Sequence, residues 1–220
     1  MATLQLEDSF RHKGLRKKLI EGLIAKGIKD LRILKAFDDV PRHLFMDSGF
    51  IEFAYQDKAF PIAAGQTISQ PYTVAFMTEL LNIKQWDKVF EVGTGSGYQT
   101  AILCELGASV YTIERQQELF QSCQHLLKML GYNPQYFFGD GYLGKPAYAP
   151  FQKIIVTAGA PEIPRALVDQ LAIGGRMVIP IGNSSQQVMT TIDKISSTQI
   201  EIREHGNFIF VPMLKGTNNR

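Results

Sequence analysis

The chain has 220 residues, of which 45% are hydrophobic and 20% charged, and its formal net charge is +2. These values exclude a disordered or fibrous chain and argue against a dedicated nucleic-acid or membrane-surface protein. Its two cysteines are too few for a disulfide framework, and no apolar run approaches the roughly 18 residues of a membrane span. The start, 1–10, lacks the apolar stretch of a signal peptide. We therefore expect one cytoplasmic globular domain over 1–220.

The chain begins with a helical extension, which we place at 9–70. Leucines recur every four residues from Leu15 to Leu23, which is typical of an amphipathic helix, and Gly27 is suited to end it. Asp30 is a candidate N-cap for a second short helix that stops before the next proline. We predict that the basic residues of the first helix face solvent: Arg11, Lys13, Arg16, Lys17 and Lys18.

A long segment without helical period follows, over 41–71. Its aromatic side chains argue against disorder, and long irregular loops in compact domains are usually functional. We therefore expect this part of the extension to form a substrate-binding and active-site loop. The aromatics are Phe45, Phe50, Phe53, Tyr55 and Phe60.

From residue 71 to 214, strand-like and helix-like segments alternate. This rhythm predicts an α/β fold with a mostly parallel sheet covered on both faces. The last two strands follow each other closely and predict an antiparallel edge, which brings the sheet to seven strands. The predicted strands are 88–93, 109–114, 134–140, 153–159, 176–182, 186–196 and 199–214, and the predicted helices are 97–107, 115–130 and 161–171.

The sharpest local signal is a glycine-rich turn between the first strand of this sheet and the next helix. Its glycines, Gly93, Gly95 and Gly97, allow a tight turn and close approach of a ligand. Glu114 ends the following strand, where an acidic side chain can accept hydrogen bonds from ribose hydroxyls. Glu91 precedes the turn and would repel a pyrophosphate, whereas it suits a cationic sulfonium.

The nucleoside ligand that fits these features best is S-adenosylmethionine. The dinucleotide pattern Gly-x-Gly-x-x-Gly is not met, because the third glycine comes one residue early, and no Walker-type run is present. Asp140 follows the third strand of the sheet, where an aspartate can reach an adenine amino group. Glycine-rich turns and Asp-Gly turns also occur without a ligand, so the acidic residues carry this prediction.

Several segments together resemble the protein-L-isoaspartate O-methyltransferase family. The segment GQTISQP is specific to that family, whereas the glycine-rich turn is shared by many methyltransferases. The matching segments are VPRHLF (40–45), AFPIAAGQTISQPYTVAFMTELL (59–81), EVGTGSGYQTAIL (91–103), FFGDG (137–141), TAGAPEIPRALVDQLAIGGRMVIPIG (157–182) and FVPML (210–214).

The resemblance implies a Rossmann-like S-adenosylmethionine-dependent methyltransferase fold and a role in protein repair. Members methylate the free carboxylate of L-isoaspartyl residues in damaged proteins and peptides. It implies that Ser69 is the active-site serine and that Phe210 and Val211 hold the substrate peptide. It also implies cofactor contacts by Gln66, Thr67, Ile68, Glu91, Gly93, Thr94, Gly95, Ser96, Gly97, Glu114, Arg115, Asp140 and Gly141.

The chain departs from the family pattern beside the substrate cleft. Ala63 and Ala64 replace glycine and phenylalanine, and Ile209 stands where an arginine often precedes FVPM. Neither departure touches Ser69 or the residues that the resemblance assigns to the cofactor.

The chemistry needs no general base, because a carboxylate is already anionic at neutral pH. The histidines show no zinc-ligand spacing, so we predict no metal, and we expect a monomer without nucleic-acid or membrane partners.

Two other functions stay open at this point. A methyltransferase for nucleic acid or small molecules is disfavoured, because nitrogen-methylating enzymes usually carry an Asn/Asp-Pro-Pro-Tyr run where this chain has Thr157–Pro161. A non-catalytic protein that keeps the cofactor fold as a scaffold is weakly disfavoured by the intact acidic residues and Ser69.

Overall fold

A seven-stranded sheet lies at the centre of the protein, which is described over residues 7–219 by a computed structural model. The strands are β3 (Lys88–Val92), β4 (Ser109–Glu114), β5 (Gln135–Phe138), β6 (Phe151–Val156), β7 (Leu171–Gly182), β8 (Gln187–Lys194) and β9 (Ile200–Phe208). Their order is β5-β4-β3-β6-β7-β8-β9, with β3 to β7 parallel and β8 and β9 antiparallel. The predicted α/β fold with an antiparallel edge is confirmed. Residues 1–6, part of the start used for the leader prediction, lie outside the described residues.

Six helices connect and cover the strands. They are α1 (Phe10–Ala25), α2 (Leu31–Asp39), α3 (Pro71–Leu81), α4 (Tyr98–Glu105), α5 (Gln117–Met129) and α6 (Arg165–Gln170). As predicted, the Asp30 carboxylate caps α2, since it accepts a hydrogen bond from the Arg32 amide. Gly27 follows α1 with φ +98°, a conformation that favours glycine. No helix of the described chain is long and apolar enough to cross a membrane.

The long segment between α2 and α3 folds into short elements. It contains 3-10 helices at Arg42–Phe45, Ser48–Phe53 and Ala63–Gly65, and a hairpin of β1 (Phe60–Pro61) and β2 (Thr67–Ile68). Several of its aromatic rings pack against one another, and Phe50 and Phe53 both contact the Phe60 ring. The prediction of an ordered aromatic segment is confirmed.

The prediction that all basic residues of α1 face solvent is wrong for Arg16. Its side chain is buried, donates two hydrogen bonds to the Asp8 carboxylate and one to the Tyr55 hydroxyl, and lies 3.4 Å from Asp38. Carboxylates from two separate segments therefore offset the cost of burying this charge. A leucine pattern cannot show that a basic residue on the same face is paired.

Two histidines meet beside Arg16. The rings of His12 and His43 stack with centroids 3.8 Å apart, and ligand atoms of Asp8, His12 and His43 all lie within 4.8 Å of one another. Ring nitrogen lone pairs lie in the ring plane, so two stacked rings do not direct theirs at one ion. The Asp8 carboxylate is also held by Arg16. We therefore assign this group to packing of the N-terminal segment.

Some element boundaries differ from the predicted ones. Helix α6 is confined to six residues because Pro161 and Pro164 precede it and proline cannot donate within a helix. Strand β7 begins at Leu171, five residues earlier than predicted, and a register shift opposite Phe151–Lys153 accommodates the extra residues. Strand β9 ends at Phe208, and the chain beyond it leaves the sheet toward Gly159.

The N-terminal helices share a core with the helices that cover one face of the sheet. Leu19 and Leu23 of α1 and Phe37 of α2 belong to one buried cluster with Ile102 of α4 and Leu127 of α5. A second cluster on the opposite face unites the strands with α6. The loop before α3 is thereby fixed against the carboxyl edge of the central strands.

Candidate active site

The cleft at the carboxyl ends of β3 and β4 is the place where α/β sheets with this topology bind ligands. In the sheet, β4 and β5 lie on one side of β3, and β6 lies on the other side, so the strand order reverses at β3. The cleft brings together most of the predicted site residues. It is lined by Gln66, Thr67, Ile68, Ser69, Gly93, Thr94, Gly95, Ser96, Glu114, Arg115, Gly141 and Val211 among the predicted residues.

The glycine-rich turn forms the floor of this cleft. Gly93, Gly95 and Gly97 have φ values of +95°, +54° and +86°, which L side chains rarely adopt. A Cβ on Gly93 would lie 2.6 Å from Thr157 Oγ1, and one on Gly97 would lie 3.0 Å from Leu127. The Thr157 hydroxyl itself donates to the Gly93 carbonyl over 2.7 Å. Both backbone conformation and close packing therefore demand glycine. Gly97 N-caps α4 but does not line the cleft.

Glu114 presents a rigid carboxylate at the end of β4. It is 5% exposed and accepts hydrogen bonds from the amides of Gly95 (2.9 Å), Arg115 (2.8 Å) and Gln116 (2.8 Å). A carboxylate offers roughly four acceptor sites, so Glu114 keeps capacity for a further hydrogen bond toward the cleft. A hydroxyl-bearing ribose is a ligand that this position can accept.

Glu91 lies beneath the turn rather than in the cleft. It is fully buried, its Oε2 accepts a hydrogen bond of 2.5 Å from the Thr100 hydroxyl, and its Oε1 has no partner within the described chain. Burial raises the pKa of Glu91 to about 8. The side chain is therefore neutral at pH 7. A neutral Glu91 does not attract a sulfonium by its charge, in contrast to the expectation from the sequence.

Asp140 follows β5 between Gly139 and Gly141, which line the cleft, although Asp140 itself is not a lining residue. Its carboxylate accepts hydrogen bonds from the amides of Tyr142 (2.8 Å) and Gly216 (2.7 Å). Arg115 Nε in turn donates to the Gly216 carbonyl over 3.1 Å. The C-terminal segment thus joins the ends of β4 and β5. Gly141 does line the cleft, and a Cβ there would overlap Val92.

Ser69 stands at the open side of the cleft, one residue after β2. Its hydroxyl has no hydrogen-bond partner among residues 7–219 and is available to a ligand. Asp57 fixes the neighbouring backbone, because its carboxylate accepts from the Tyr72 amide over 2.8 Å and its carbonyl accepts from Gln70 Nε2 over 3.1 Å. The chain that directly follows Ser69 is therefore held in place at the start of α3.

Arg42 supports the same loop from within the core. Its guanidinium is fully buried, donates to the Ala54 carbonyl over 3.0 Å and lies 4.9 Å from the centre of the Tyr98 ring. Burial lowers the pKa of Arg42 to about 10, and the side chain stays charged at neutral pH. Tyr98 lines the cleft, so Arg42 links the loop to the cleft.

A second cavity, called the groove below, opens directly beside the cleft. Both cavities are lined by Thr67, Ser69, Thr157 and Val211. Phe210 lines the groove only, and the Val211 carbonyl accepts a hydrogen bond of 2.9 Å from the Gly159 amide. The two residues predicted to hold a substrate therefore lie at the groove, and Ser69 lies where the groove meets the cleft.

The cleft is also lined by residues that the sequence prediction missed. Thr157 and Ala158 follow β6, and the rule that ligands bind at carboxyl ends of parallel strands could have found them. Met213 and Leu214 reach the cleft only through the return of the C-terminal segment. No local pattern signals such a long-range contact.

The fold and the cleft define a class of protein. A parallel sheet with a glycine-rich turn after its first strand and an acidic residue after its second, with no phosphate-binding loop, is the arrangement of S-adenosylmethionine-dependent methyltransferases. The cleft fits that cofactor, because the glycines leave room at the backbone and Glu114 offers a hydroxyl acceptor.

Comparisons with known proteins identify the family. The profile of the protein-L-isoaspartate(D-aspartate) O-methyltransferase family matches residues 14–218, and the chain belongs to this family. It is 58% identical over 214 residues to the protein-L-isoaspartate O-methyltransferase of Christiangramia forsetii, covering 97% of this chain and 100% of that one. The Flavobacterium psychrophilum enzyme of the same name is also 58% identical, with the same coverage.

Solved structures agree with this assignment. A protein-L-isoaspartate O-methyltransferase superposes with a TM-score of 0.81 at 28% identity, over 90% of this chain and 65% of that one. A putative Plasmodium falciparum enzyme of the same kind, in complex with S-adenosyl-L-homocysteine, gives a TM-score of 0.80 at 27% identity, over 91% and 98%. The chain is a protein-repair methyltransferase that uses S-adenosylmethionine and acts on isoaspartyl residues.

Proposed function

We propose that the cleft and the groove bind the two reactants separately, one the cofactor and the other the peptide. The cleft holds S-adenosylmethionine, and the groove holds the protein segment that carries the isoaspartyl residue. The observation that carries this proposal is that Ser69 and Thr67 line both cavities. A group at that junction can touch the acceptor while the donor occupies the cleft.

The cofactor, when bound, supplies an electrophilic methyl group on a sulfonium. We assign the ribose to Glu114 and the adenine side to Asp140, with Arg115 and the backbone of the turn closing the cleft. The remaining cofactor contacts that we propose all line the cleft: Gln66, Thr67, Ile68, Gly93, Thr94, Gly95, Ser96 and Gly141. Gly97 supports the cofactor site indirectly, because it holds the conformation of the turn. Glu91 acts indirectly, because it is buried beneath the turn and hydrogen-bonded to Thr100.

The protein residues around the acceptor orient it. The isoaspartyl carboxylate is anionic at neutral pH, so no side chain has to remove a proton. We propose that the Ser69 hydroxyl donates a hydrogen bond to this carboxylate, while the backbone at Phe210 and Val211 holds the peptide. Alignment of two bound groups can supply roughly 7–11 kcal/mol of the barrier, and this is the main contribution that we assign to the site.

The test uses two peptides that differ only in an isoaspartyl or an aspartyl linkage. The protein is incubated with each peptide and S-adenosylmethionine labelled in its methyl group. We expect base-labile label on the isoaspartyl peptide alone, because a methyl ester is hydrolysed by base. Equal labelling of both peptides, or none while the cofactor binds, contradicts the proposal.

We further propose how the chain is organised and where it works. Residues 9–70 supply the substrate and active-site loop and 71–214 the cofactor-binding core of a single domain. We propose a cytoplasmic monomer that acts on proteins and peptides rather than nucleic acids, which the small net charge supports. Its two free cysteines are typical of proteins from a reducing compartment. Light scattering at several protein concentrations tests the monomer.

A further inference from the structure

One wall of the groove is a continuous aromatic surface. The Tyr72 and Phe76 rings of α3 stack with centroids 5.7 Å apart, and the Phe76 and Phe208 rings stack with centroids 5.4 Å apart, each pair at 23°. All three residues line the groove and are only partly buried. The surface begins three residues after Ser69, so a side chain next to a bound acceptor lies within its reach.

The groove carries little charge. Of the described residues that line it, none is an aspartate, glutamate, lysine or arginine. His205 is the histidine among the lining residues, and burial together with Arg176 and Arg203 holds its pKa below the ordinary value. Lys26 lies 5.3 Å from the Tyr72 ring but is paired with Asp57 over 2.5 Å. A charged peptide side chain would therefore find no partner of opposite sign among the described residues that line the groove.

Ile209 extends the apolar character to the rim of the groove. It lines the groove and is 79% exposed, which is unusual for a large aliphatic side chain unless a ligand covers it. It precedes Phe210 and Val211, the residues placed beside the substrate backbone. The position therefore faces a bound peptide while contributing little to the packed core.

We propose that this groove selects isoaspartyl substrates whose neighbouring residue is apolar or aromatic, and that Ile209 is a specificity-determining residue. The proposal rests on the function proposed above, because it places the acceptor at Ser69. An aliphatic or aromatic neighbour gains by leaving water and by stacking on the aromatic wall. An acidic or basic neighbour loses hydration without gaining a partner.

The test measures kcat/KM for matched isoaspartyl peptides that carry Leu, Phe, Glu or Lys on one side of the isoaspartate, and then on the other. For the unmodified protein we expect Leu and Phe peptides to exceed Glu and Lys peptides by roughly tenfold at one of the two positions, the scale of discrimination by an apolar site. We expect Ile209→Lys to raise the relative kcat/KM of the Glu peptide about fivefold and Ile209→Glu to do the same for the Lys peptide.

Ile173→Lys and Ile173→Glu are matched controls, because Ile173 is 67% exposed and lines neither cavity. Equal kcat/KM for all four neighbours at both positions, with every isoaspartyl peptide methylated, overturns the selectivity. If the Ile209 variants change kcat/KM by the same factor for every peptide, Ile209 does not determine the selectivity. If no isoaspartyl peptide is methylated although the cofactor binds, the proposed function itself fails and the selectivity with it.

Discussion

The Ser69 hydroxyl is the side-chain group to which we assign contact with the acceptor carboxylate. On this proposal, Ser69→Ala removes one hydrogen bond to an anionic acceptor, and we expect kcat to fall roughly 10- to 100-fold. Cofactor binding should change no more than about threefold, because Glu114 and the glycine-rich turn are untouched. Turnover with the isoaspartyl peptide and calorimetry with the cofactor measure the two effects.

The control is Ser184→Ala, which alters an exposed serine outside both cavities. It should leave kcat and cofactor affinity unchanged. A Ser69→Ala protein with full turnover would exclude Ser69 from the mechanism.

The buried Glu91 should make the stability of the protein depend on pH. Its pKa is about 8 in the folded chain against an ordinary value of 4.5, so between these values the folded state keeps a proton that the unfolded state releases. The free energy of unfolding therefore falls as pH rises through this window, by up to about 1.4 kcal/mol per pH unit. Glu91→Gln stays neutral, and its unfolding free energy should lack this contribution.

Urea unfolding of both proteins between pH 5 and pH 9 checks the sign. The advantage of Glu91→Gln over the unmodified protein should grow as pH rises. Parallel curves across the range would show that Glu91 is ionised at neutral pH despite its burial.

At the scale of elements, the turn between β3 and α4 combines a left-handed backbone, which glycine adopts freely, with close packing. Gly93→Ala meets both penalties, because φ is +95° and the new Cβ would contact Thr157 Oγ1. We expect the free energy of unfolding to fall by at least about 2 kcal/mol, the sum of left-handed backbone strain and overpacking. We also expect cofactor affinity to fall at least about tenfold.

Gly174→Ala separates these two penalties. Gly174 has φ +77° and no atom within 4 Å of an added Cβ, so backbone strain alone should cost about 1–2 kcal/mol. Calorimetry should give it the cofactor affinity of the unmodified protein. Equal losses of stability in both variants would show that the Thr157 contact relaxes without cost.

The elements themselves were largely predictable because their period is local. Alternating strands and helices, the cap at Asp30 and the glycine-rich turn depend on neighbours in sequence, and all of these occur in the structure. The burial of Arg16 was not predictable, since its partners Asp8 and Tyr55 come from other segments. The early start of β7 depends on a register shift against β6, which a pattern in one strand does not encode.

At the scale of the whole molecule, the N-terminal helices share a core with the helices that cover the sheet. Leu23→Ala removes a fully buried side chain of α1 from the cluster that also holds residues of α4 and α5. We expect a loss of about 2–5 kcal/mol of unfolding free energy, in a single cooperative transition. Ile24→Ala, at a side chain 51% exposed, should cost less than about 1 kcal/mol.

Thermal unfolding followed by circular dichroism and by fluorescence of Trp86 tests this coupling. If the helices formed an independent unit, Leu23→Ala would produce two transitions, or transitions that differ between the two signals. Either result would contradict the shared core.

The site residues that belong to a sequence motif were predictable, whereas those contributed by the distant C-terminal segment were not. Ser69 and Glu114 were found from motifs, and both line the cleft. Glu91 and Asp140 follow the same logic of strand ends, yet the first is buried and the second faces the C-terminal segment. A position near the end of a strand does not show whether the carboxylate points into the cleft, into the core or toward another segment.

The bonds made by the C-terminal segment affect how the protein should be handled in the laboratory. Gly216 joins Arg115 and Asp140, and the Asn218 amide donates to the Arg115 carbonyl over 2.8 Å. A purification tag or fluorescent fusion attached beyond this segment should disturb Arg115 and Asp140, both of which we propose as cofactor contacts. We therefore expect a C-terminal tag to weaken cofactor binding more than an N-terminal tag does, and calorimetry with the two tagged proteins compares them.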